Sequence, residues 1–310
     1  MKTIKRYNEF TDFLKLHFPF KTQKISVNAG FTCPNRDGNR ASGGCTYCNN
    51  HSFSPEYTHK VKTVTQQLAE GVEFFSKKYP EMHFLAYFQS YTNTYADVAH
   101  LRSLYEEALK VNKVVGLVIS TRPDCMAEDV LDLLEEISKK TFLLLEFGVE
   151  STIDASLDYI NRAHSYGESV DAITRAAARG IHVGAHLILG LPGESREQML
   201  SHAAEISKLP LKTVKMHQLQ LHKHTKMLQQ FQEEPEMFHF FSQDEYIELA
   251  IDFAERLRPD LFIERFVSQA PKELLILPKW GTKNAEFIHK LDRRMEERDA
   301  HQGRLFALNQ

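Results

Sequence analysis

The stretch FTCPNRDGNRASGGCTYCNNH, residues 31–51, carries three of the four cysteines of the chain. Cys45 and Cys48 are separated by two residues, so a single turn of chain can point both thiols toward one centre. Eleven residues separate Cys33 from Cys45, and the glycines and asparagines among them allow the chain to fold back. Thiolates are ligands for iron–sulfur clusters and for zinc. The stretch therefore predicts a metal centre held by these three cysteines.

The fourth ligand of this centre separates two interpretations. In a four-iron cluster held by three cysteines, one iron keeps an open position for a substrate or cofactor, whereas electron carriers usually use four cysteines. In a structural zinc site, His51 supplies the fourth ligand, or Cys125 does from a position later in the chain. The ring of Tyr47 would shield a cluster. Spacing alone leaves both interpretations open.

Outside the loop, strand-like and helix-like segments alternate. Apolar residues such as Val64, Leu68 and Val72 recur at helical spacing, and nearly continuous apolar runs suit parallel strands covered on both faces. The six predicted strands cover residues 23–29, 83–88, 114–120, 142–149, 181–189 and 213–221. Six such repeats predict a right-handed βα array, which is a closed or partial barrel or an open doubly wound sheet. Zinc ribbons seldom open so large an α/β body, and this favours the cluster.

Composition and charge limit the classes of protein that remain. The 310 residues are 42% hydrophobic and 25% charged, which is typical of globular proteins. A formal charge of -3 gives no global basic field for nucleic acid, although a local basic patch would suffice. The first residues lack the pattern of a secretory signal, and the longest apolar runs are too short for a membrane helix. We expect a cytoplasmic protein without membrane contact, whose cysteines are ligands rather than disulfides.

The alternation ends near residue 235, which suggests a boundary. We predict a barrel domain over residues 1–235, with the cluster loop at 30–51, and an α+β extension over residues 236–310 that is docked on the barrel. The extension contains a helix, a strand and a charged helix, over residues 244–257, 261–267 and 284–298.

Two features of this extension are candidates for contact with RNA. The last helix carries a basic set with interleaved acids, so a solvated face is the alternative to a phosphate-contacting surface. Trp280 either stacks on a base or anchors the extension. The basic set consists of Lys290, Arg293, Arg294 and Arg298.

Seven short motifs lie in the loops and at the ends of the predicted strands. They are GFTCPNRDG (30–38), GGCTYC (43–48), STRPDC (120–125), FGVES (147–151), NRAH (161–164), ILGLPGE (188–194) and HQLQLHKHT (217–225). With these motifs, almost the whole chain resembles the radical S-adenosylmethionine (SAM) superfamily. More narrowly, it is similar to the YhcC/YtqA kind, relatives of the Elongator catalytic subunit, for which the long gap between the first two cysteines is usual.

The resemblance implies a partial (β/α)₆ barrel of the TIM-like type, with the C-terminal extension beside it. It implies that Cys33, Cys45 and Cys48 hold a 4Fe–4S cluster after the first strand. SAM would bind the open iron, and one electron would cleave it to methionine and a 5′-deoxyadenosyl radical that abstracts hydrogen from the substrate. The electron would come from a donor such as flavodoxin or ferredoxin.

The resemblance also assigns roles to residues at the strand ends. Glu150 would accept hydrogen bonds from the ribose of SAM, Arg162 would bind its carboxylate, and Gly190 would meet its adenine. A Gly-Gly-acid motif that relatives use for the amino group is missing here, so Gln89 and Ser90 are weaker candidates. The full predicted cofactor set is Tyr47, Gln89, Ser90, Arg122, Glu150, Arg162 and Gly190.

Three further residues, Cys125, His222 and His224, are candidates for substrate contact. Strand alternation would put His217 on the face opposite His222 and His224, so a three-histidine metal site is not expected. Part of this segment would face the substrate. Cys125 is a second candidate, although a packed thiol is the simpler interpretation.

The leading hypothesis for the substrate is tRNA. The relatives suggest the wobble uridine, with conversion of a carboxymethylaminomethyl side chain to aminomethyl. Radical chemistry on a small molecule, such as a porphyrin-type or amino-acid substrate, is a second hypothesis. A non-catalytic zinc- or cluster-binding RNA module is the third.

Overall fold

Strands and helices alternate along the chain in the computed structural model, which describes residues 5–49 and 62–306. His51, the alternative zinc ligand, lies outside these residues. The strands of the first part are β1 (Thr22–Val27), β2 (His83–Phe88), β3 (Val114–Thr121), β4 (Phe142–Glu150), β5 (His182–Leu189) and β6 (Thr213–Gln218). Its helices are α1 (Phe10–His17), α2 (Val64–Ser76), α3 (Val98–Leu109), α4 (Glu128–Ser138), α5 (Asp154–Tyr159), α6 (Tyr166–Ala178) and α7 (Arg196–Ser207).

The second part of the chain adds three strands and three helices among the described residues. They are β7 (Leu221–His222), α8 (Lys226–Glu233), α9 (Gln243–Arg256), β8 (Phe262–Arg265), β9 (Leu275–Leu277) and α10 (Asn284–Glu297). The strand β8 pairs in parallel with β6, while β7 and β9 form a separate antiparallel pair. The predicted division at residue 235 remains a prediction, but a strand of the predicted extension is an integral part of the main sheet.

The main sheet has seven parallel strands in the order β1-β2-β3-β4-β5-β6-β8. It curls far enough that side chains from its two edge strands meet inside it, since Lys24 on β1 and Glu264 on β8 form an ion pair with 2.6 Å between Nζ and Oε2. The segment before α1 continues the other side of β8, since the Ile263 N–H donates to the carbonyl of Asn8 over 2.8 Å. The prediction of an α/β partial barrel is confirmed, with one strand more than expected.

Helices cover the outer face of this curled sheet. Strand residues that point outward, such as Leu117, Leu145 and Val183, join one apolar core with helix residues such as Leu68 and Leu131. A capping box formed by Ser195 and Gln198 opens α7. None of the described helices is long and apolar enough to cross a membrane.

The interior of the barrel is built in layers because side chains alternate along each strand. The layer at the amino ends of the strands is apolar, and α1 plugs it with Phe13 and Leu14. The sequence prediction had no helix there. The middle layer is charged and polar, and it consists of Lys24, Tyr87, Ser120, Glu146, His186, Lys215 and Glu264. Above it, a cavity opens at the carboxyl ends of the strands, where parallel-barrel enzymes place their active sites.

Candidate active site

The cluster loop is folded by its own backbone and tied to two other parts of the chain. The carbonyl of Cys33 accepts hydrogen bonds from the N–H groups of Arg36 and Asp37, and the Cys48 N–H donates to the carbonyl of Cys45. Thr46 holds the loop in place, because its N–H donates to Ile160 and its carbonyl accepts from Met227. The long span between the first two cysteines is therefore a folded turn that returns the chain to Cys45.

The three predicted cysteine ligands line the same cavity. Cys33, Cys45 and Cys48 all contribute to its wall, while Cys125 does not. Asn35 Nδ2 and Arg162 Nη1 lie 3.4 and 3.5 Å from Cys45 Sγ, and N–H donors of this kind stabilise a thiolate.

Burial raises the pKa of the Cys48 thiol to about 12, and neighbouring Cys45 adds to this rise. Metal binding displaces the proton of such a thiol. Among the described residues, no three His, Cys, Asp or Glu side chains converge as ligands of one metal ion. A cuboidal cluster spreads its ligands over separate iron atoms, so three thiols along one wall suit a cluster better than a single zinc ion.

Arg162 and Glu150 form a buried pair beside these thiols. Arg162 Nη2 donates to the carbonyl of Gly148 over 2.5 Å and lies 3.4 Å from Glu150 Oε1. A Cβ at Gly148 would lie 2.6 Å from both side chains, so only glycine leaves room for the pair. Burial raises the pKa of Glu150, although Arg162 and a hydrogen bond from Tyr47 oppose that rise. The arrangement holds an acceptor and a donor side by side at the cavity wall.

The backbone around this pair is strained. Glu150, Asn161 and Ala163 have φ values of 69°, 52° and 59°, in the left-handed region that non-glycine residues seldom occupy. Tyr91, which lines the cavity, has a φ of 66°. At Glu150, the register between β4 and β5 also shifts, and such a bulge re-aims a side chain. Strain of this kind clusters at functional sites, where the surrounding structure maintains it.

Two guanidinium groups of the cavity retain unused donors. Arg122 forms a buried two-point ion pair with Asp124, at 2.9 and 3.0 Å, and Nη2 of Arg122 also donates to the carbonyl of Arg162. The remaining nitrogens, Nη1 of Arg122 and Nε of Arg162, are buried and have no hydrogen-bond partner among the described residues. Buried donors without partners are rare in proteins. They fit the carboxylate of a cofactor such as SAM.

A charged network lies directly below the cavity. Glu146 accepts hydrogen bonds from Lys24, Lys215 and His186, and its side chain is 2% exposed. Burial opposes its ionisation, but the two lysines outweigh burial and hold the pKa of Glu146 well below its usual range. Burial, and then Lys215, lowers the pKa of His186 to about 4, so the imidazole is neutral near pH 7.

His217 and Arg265 also line the cavity. Arg265 Nη2 lies 2.9 Å from Nε2 and 3.1 Å from Nδ1 of the His217 ring. Burial, and then Arg265, lowers the pKa of His217 well below its usual range, so the ring is neutral and can accept from the guanidinium. Neither the arginine nor its role was predicted from the sequence.

The structure brings most predicted site residues together. Of the predicted cofactor set, Tyr47, Gln89, Arg122, Glu150 and Arg162 line the cavity with the three cysteines.

Four other predicted site residues do not line this cavity. Ser90 and Gly190 are absent from its wall. Cys125 borders a separate depression beside Arg40, and His224 is exposed on a different surface.

The expected alternation from His217 to His222 is wrong. The strand β6 ends at Gln218, and the chain bends before β7, so both histidines line the cavity. The prediction assumed one continuous strand, and a break in a strand resets which face each side chain occupies.

The C-terminal candidates for RNA contact are engaged within the protein. Arg294 and Arg298 pair with Glu248, and Arg293 pairs with Glu297. The Trp280 Nε1–H donates to the carbonyl of Phe241 over 2.9 Å, and its ring stacks on Phe287. These contacts favour the solvated helix face and the anchoring tryptophan.

The middle layer was not predicted, although the sequence carried a signal for it. Glu146 sits in the run FLLLEFGV, Lys215 in TVKMHQ and His186 in HVGAHLIL. A charge inside a strand that is covered on both faces has no solvent to reach, so it must find a buried partner. The signal identifies such residues, but it does not identify their partners.

Comparison with known proteins gives matches along the chain. A profile described as the radical SAM superfamily matches residues 33–206, and one described as the radical SAM C-terminal domain matches residues 211–297. The uncharacterized protein YtqA of Bacillus subtilis is 35% identical over 98% of this chain and 94% of its own length. The protein YhcC of Escherichia coli K12 is 32% identical over 96% of this chain and 94% of its own.

Two more distant matches cover less of the other protein. A tRNA uridine(34) acetyltransferase of Methanocaldococcus jannaschii is 28% identical over 113 residues, which is 35% of this chain and 20% of that protein. The solved structure of Methanocaldococcus infernus Elp3 with an N-terminal deletion superposes with a TM-score of 0.68 at 16% identity. That match covers 91% of this chain and 64% of the other, and it supports the partial-barrel fold.

Proposed function

This chain belongs to the radical SAM superfamily, and from that premise we propose that it modifies the wobble uridine of tRNA. Its cofactors are a 4Fe–4S cluster and SAM, as in the family to which it belongs. When bound, they supply a 5′-deoxyadenosyl radical that abstracts a hydrogen atom from the substrate.

Within this proposal, each group of cavity residues has a separate task. Cys33, Cys45 and Cys48 hold the cluster, and Asn35 and Arg162 donate N–H groups to the sulfur of Cys45. Hydrogen bonds to ligand sulfurs also tune the potential of such clusters.

The residues proposed for SAM lie beside the thiols. The unused donors of Arg122 and Arg162 bind the SAM carboxylate, and Glu150 accepts hydrogen bonds from its ribose. Tyr47, whose hydroxyl hydrogen-bonds Glu150, fixes the orientation of that carboxylate.

The tRNA part of the proposal rests mainly on one observation. The chain shares 113 residues of similarity with a protein named tRNA uridine(34) acetyltransferase, and uridine 34 is the wobble position. The structure adds three exposed cations around the cluster loop, namely Arg36, Lys223 and Lys226. Cations at the mouth of a cavity bind the phosphates next to a base that enters it.

The reaction that we propose converts carboxymethylaminomethyl to aminomethyl on that uridine. Abstraction of a hydrogen atom from the carboxymethyl carbon, return of one electron to the cofactors and hydrolysis of the resulting imine by water would release the two-carbon group as glyoxylate. The substrate side chain ends in a carboxylate, and the product side chain ends in an amine. The enzyme must therefore accept a negative charge that its product lacks. A flavodoxin or ferredoxin would donate the electron, and the site of reaction would be the cytoplasm, where tRNA is found.

Two measurements test the proposed function. Nucleoside mass spectrometry of tRNA from a strain that lacks the gene should show carboxymethylaminomethyluridine in excess and aminomethyluridine depleted. Reconstituted protein with SAM and a reductant should convert the first nucleoside to the second in isolated tRNA. An unchanged nucleoside profile, together with SAM cleavage in the absence of tRNA activity, would favour a small-molecule substrate.

A further inference from the structure

A β-bulge turns Arg265 into the barrel. Val214 on β6 pairs with Ile263, but the next residue, Lys215, pairs with Arg265, so Glu264 is an additional residue on β8. In a regular strand, Glu264 and Arg265 would point to opposite faces. Here Glu264 contacts Lys24 and Lys215 inside the barrel, and Arg265 lines the cavity above them. The bulge therefore places two consecutive charges on the interior face.

The charges of the middle layer balance without Arg265. Lys24 and Lys215 each contact both Glu146 and Glu264, so two ammonium groups offset two carboxylates. Arg265 contacts the ring of His217, and no described carboxylate lies within ion-pair distance of it. One positive charge on this wall of the cavity therefore lacks a counter-charge from the described part of the chain. Arg265 is half-buried, and a charge held partly out of water without a partner suits an anionic ligand.

The geometry of the guanidinium supports the same conclusion. Nε of Arg265 is buried and has no hydrogen-bond partner among the described residues. Its Nη2 lies within 3.1 Å of both ring nitrogens of His217, so this side of the guanidinium is already occupied by the imidazole. The Nε–H therefore remains as a charged donor from which a carboxylate can accept, and His217 orients the guanidinium that carries it.

We propose that Arg265 and His217 form a binding site for the carboxylate of the substrate side chain. This inference rests on the proposed function, because it assigns the anion to the carboxymethyl group on the wobble uridine. The carboxylate of SAM is the other source of the same chemistry. Arg122 and Arg162, beside the cysteines, serve SAM in the proposed site, which leaves Arg265 for the substrate. The site then distinguishes substrate from product, because the product has lost the carboxylate.

The test compares two tRNAs that differ only in the carboxymethyl group. The affinity of the reconstituted holoenzyme is measured for tRNA that carries carboxymethylaminomethyluridine and for the same tRNA with aminomethyluridine. The variants are Arg265→Gln, Arg265→Lys and, as a matched control, Lys223→Gln, which removes an exposed cation at the rim. The affinity of each protein for SAM is measured in parallel, and melting temperatures show whether each variant is folded.

We expect the wild type to bind the tRNA with the carboxymethyl group roughly ten- to hundredfold more tightly, as for a hydrogen bond between charged groups. Arg265→Gln should lose this preference and keep its affinity for the aminomethyluridine tRNA and for SAM. Arg265→Lys keeps the charge and should retain part of the preference. It replaces the Gln variant in the test if that variant does not fold. Lys223→Gln should weaken the binding of both tRNAs by the same factor, because a phosphate contact does not depend on the base.

Three results would overturn the inference. They are equal affinity of the wild type for both tRNAs, a preference that survives Arg265→Gln, and a loss of SAM affinity in place of the preference. The proposed function has its own readout, which is conversion of the modified nucleoside. An Arg265-dependent preference without conversion would leave the carboxylate site standing and reject the reaction. Conversion of the nucleoside without such a preference would support the reaction and reject the carboxylate site.

Discussion

Arg162 lies between the carboxylate of Glu150 and the sulfur of Cys45, at 3.4 Å from the first and 3.5 Å from the second. One guanidinium therefore links the proposed SAM contact to a proposed cluster ligand. The backbone on both sides of this link is strained, since Glu150 and Asn161 both have positive φ. Glu150 is the proposed SAM contact, and the cysteines are the proposed cluster ligands. Replacement of Glu150 should therefore change SAM affinity, whereas replacement of a cysteine should change the cluster itself.

Replacement of Glu150 by glutamine should weaken SAM binding and leave the cluster in place. The variant loses a charged acceptor for the ribose hydroxyls, and we expect roughly tenfold weaker affinity. Equilibrium dialysis with SAM measures the affinity, and iron analysis measures the cluster. The exposed Glu73→Gln variant is the control and should match the wild type in both. Unchanged SAM affinity in Glu150→Gln would reject the ribose contact.

Replacement of Cys33, Cys45 or Cys48 by alanine should abolish the cluster and SAM cleavage together. Each thiolate holds one iron, and a cluster with two protein ligands is not retained. Iron and sulfide content and the yield of 5′-deoxyadenosine report the two losses. Cys125→Ala is the matched control, because Cys125 lies outside the cavity, and it should keep both. A colourless wild-type protein that holds one zinc ion would contradict the assignment.

Replacement of Glu264 by glutamine should destabilise the fold. The change leaves Lys24 and Lys215, which are 11% and 3% exposed, to share the single carboxylate of Glu146. Removal of one partner from a buried ion pair costs about 3 kcal/mol, or roughly 6 °C in melting temperature for a domain of this size. Circular dichroism measures the shift. Glu73→Gln, which breaks an exposed pair with Lys77, should cost less than about 1 kcal/mol. Equal shifts for the two variants would contradict the structure of the middle layer.

Acid should weaken the fold through His186. The pKa of this histidine is lowered to about 4 in the folded protein, so between about pH 6.5 and 4 the unfolded chain binds a proton that the folded chain does not. Its contribution to stability is full above pH 6.5 and is lost as the pH falls through that window. Melting temperatures measured across the window should fall less steeply in His186→Gln than in the wild type. The pKa of His222 is also lowered to about 4, so part of the fall in melting temperature should remain in that variant.

Much of the sheet could be predicted from periodicity. The strand at His83–Phe88 has the predicted bounds, and the other five predicted strands differ at one or both ends, by three residues at most. The helix α1 was missed because its charged residues hide a short apolar face, which becomes informative only when it plugs a barrel. The strand at the C-terminal end of the sheet was predicted as a strand but assigned to an extension. Local pattern identifies a strand, and its neighbours in the sheet depend on the path of the whole chain.

The sequence by itself determined that three thiols lie in one loop and that strands and helices alternate after it. Both are local properties, since ligand chemistry depends on the residue type and helical or strand periodicity depends on neighbouring positions. Tertiary structure alone decided how the interior is filled. Lys24 meets Glu264 across 240 positions of the chain, because the curl of the sheet brings side chains of its two edge strands together. The bulge that turns Arg265 toward His217 is likewise a property of the pairing between two strands. Contacts of this kind depend on the twist and register of the sheet, which no short stretch of sequence encodes.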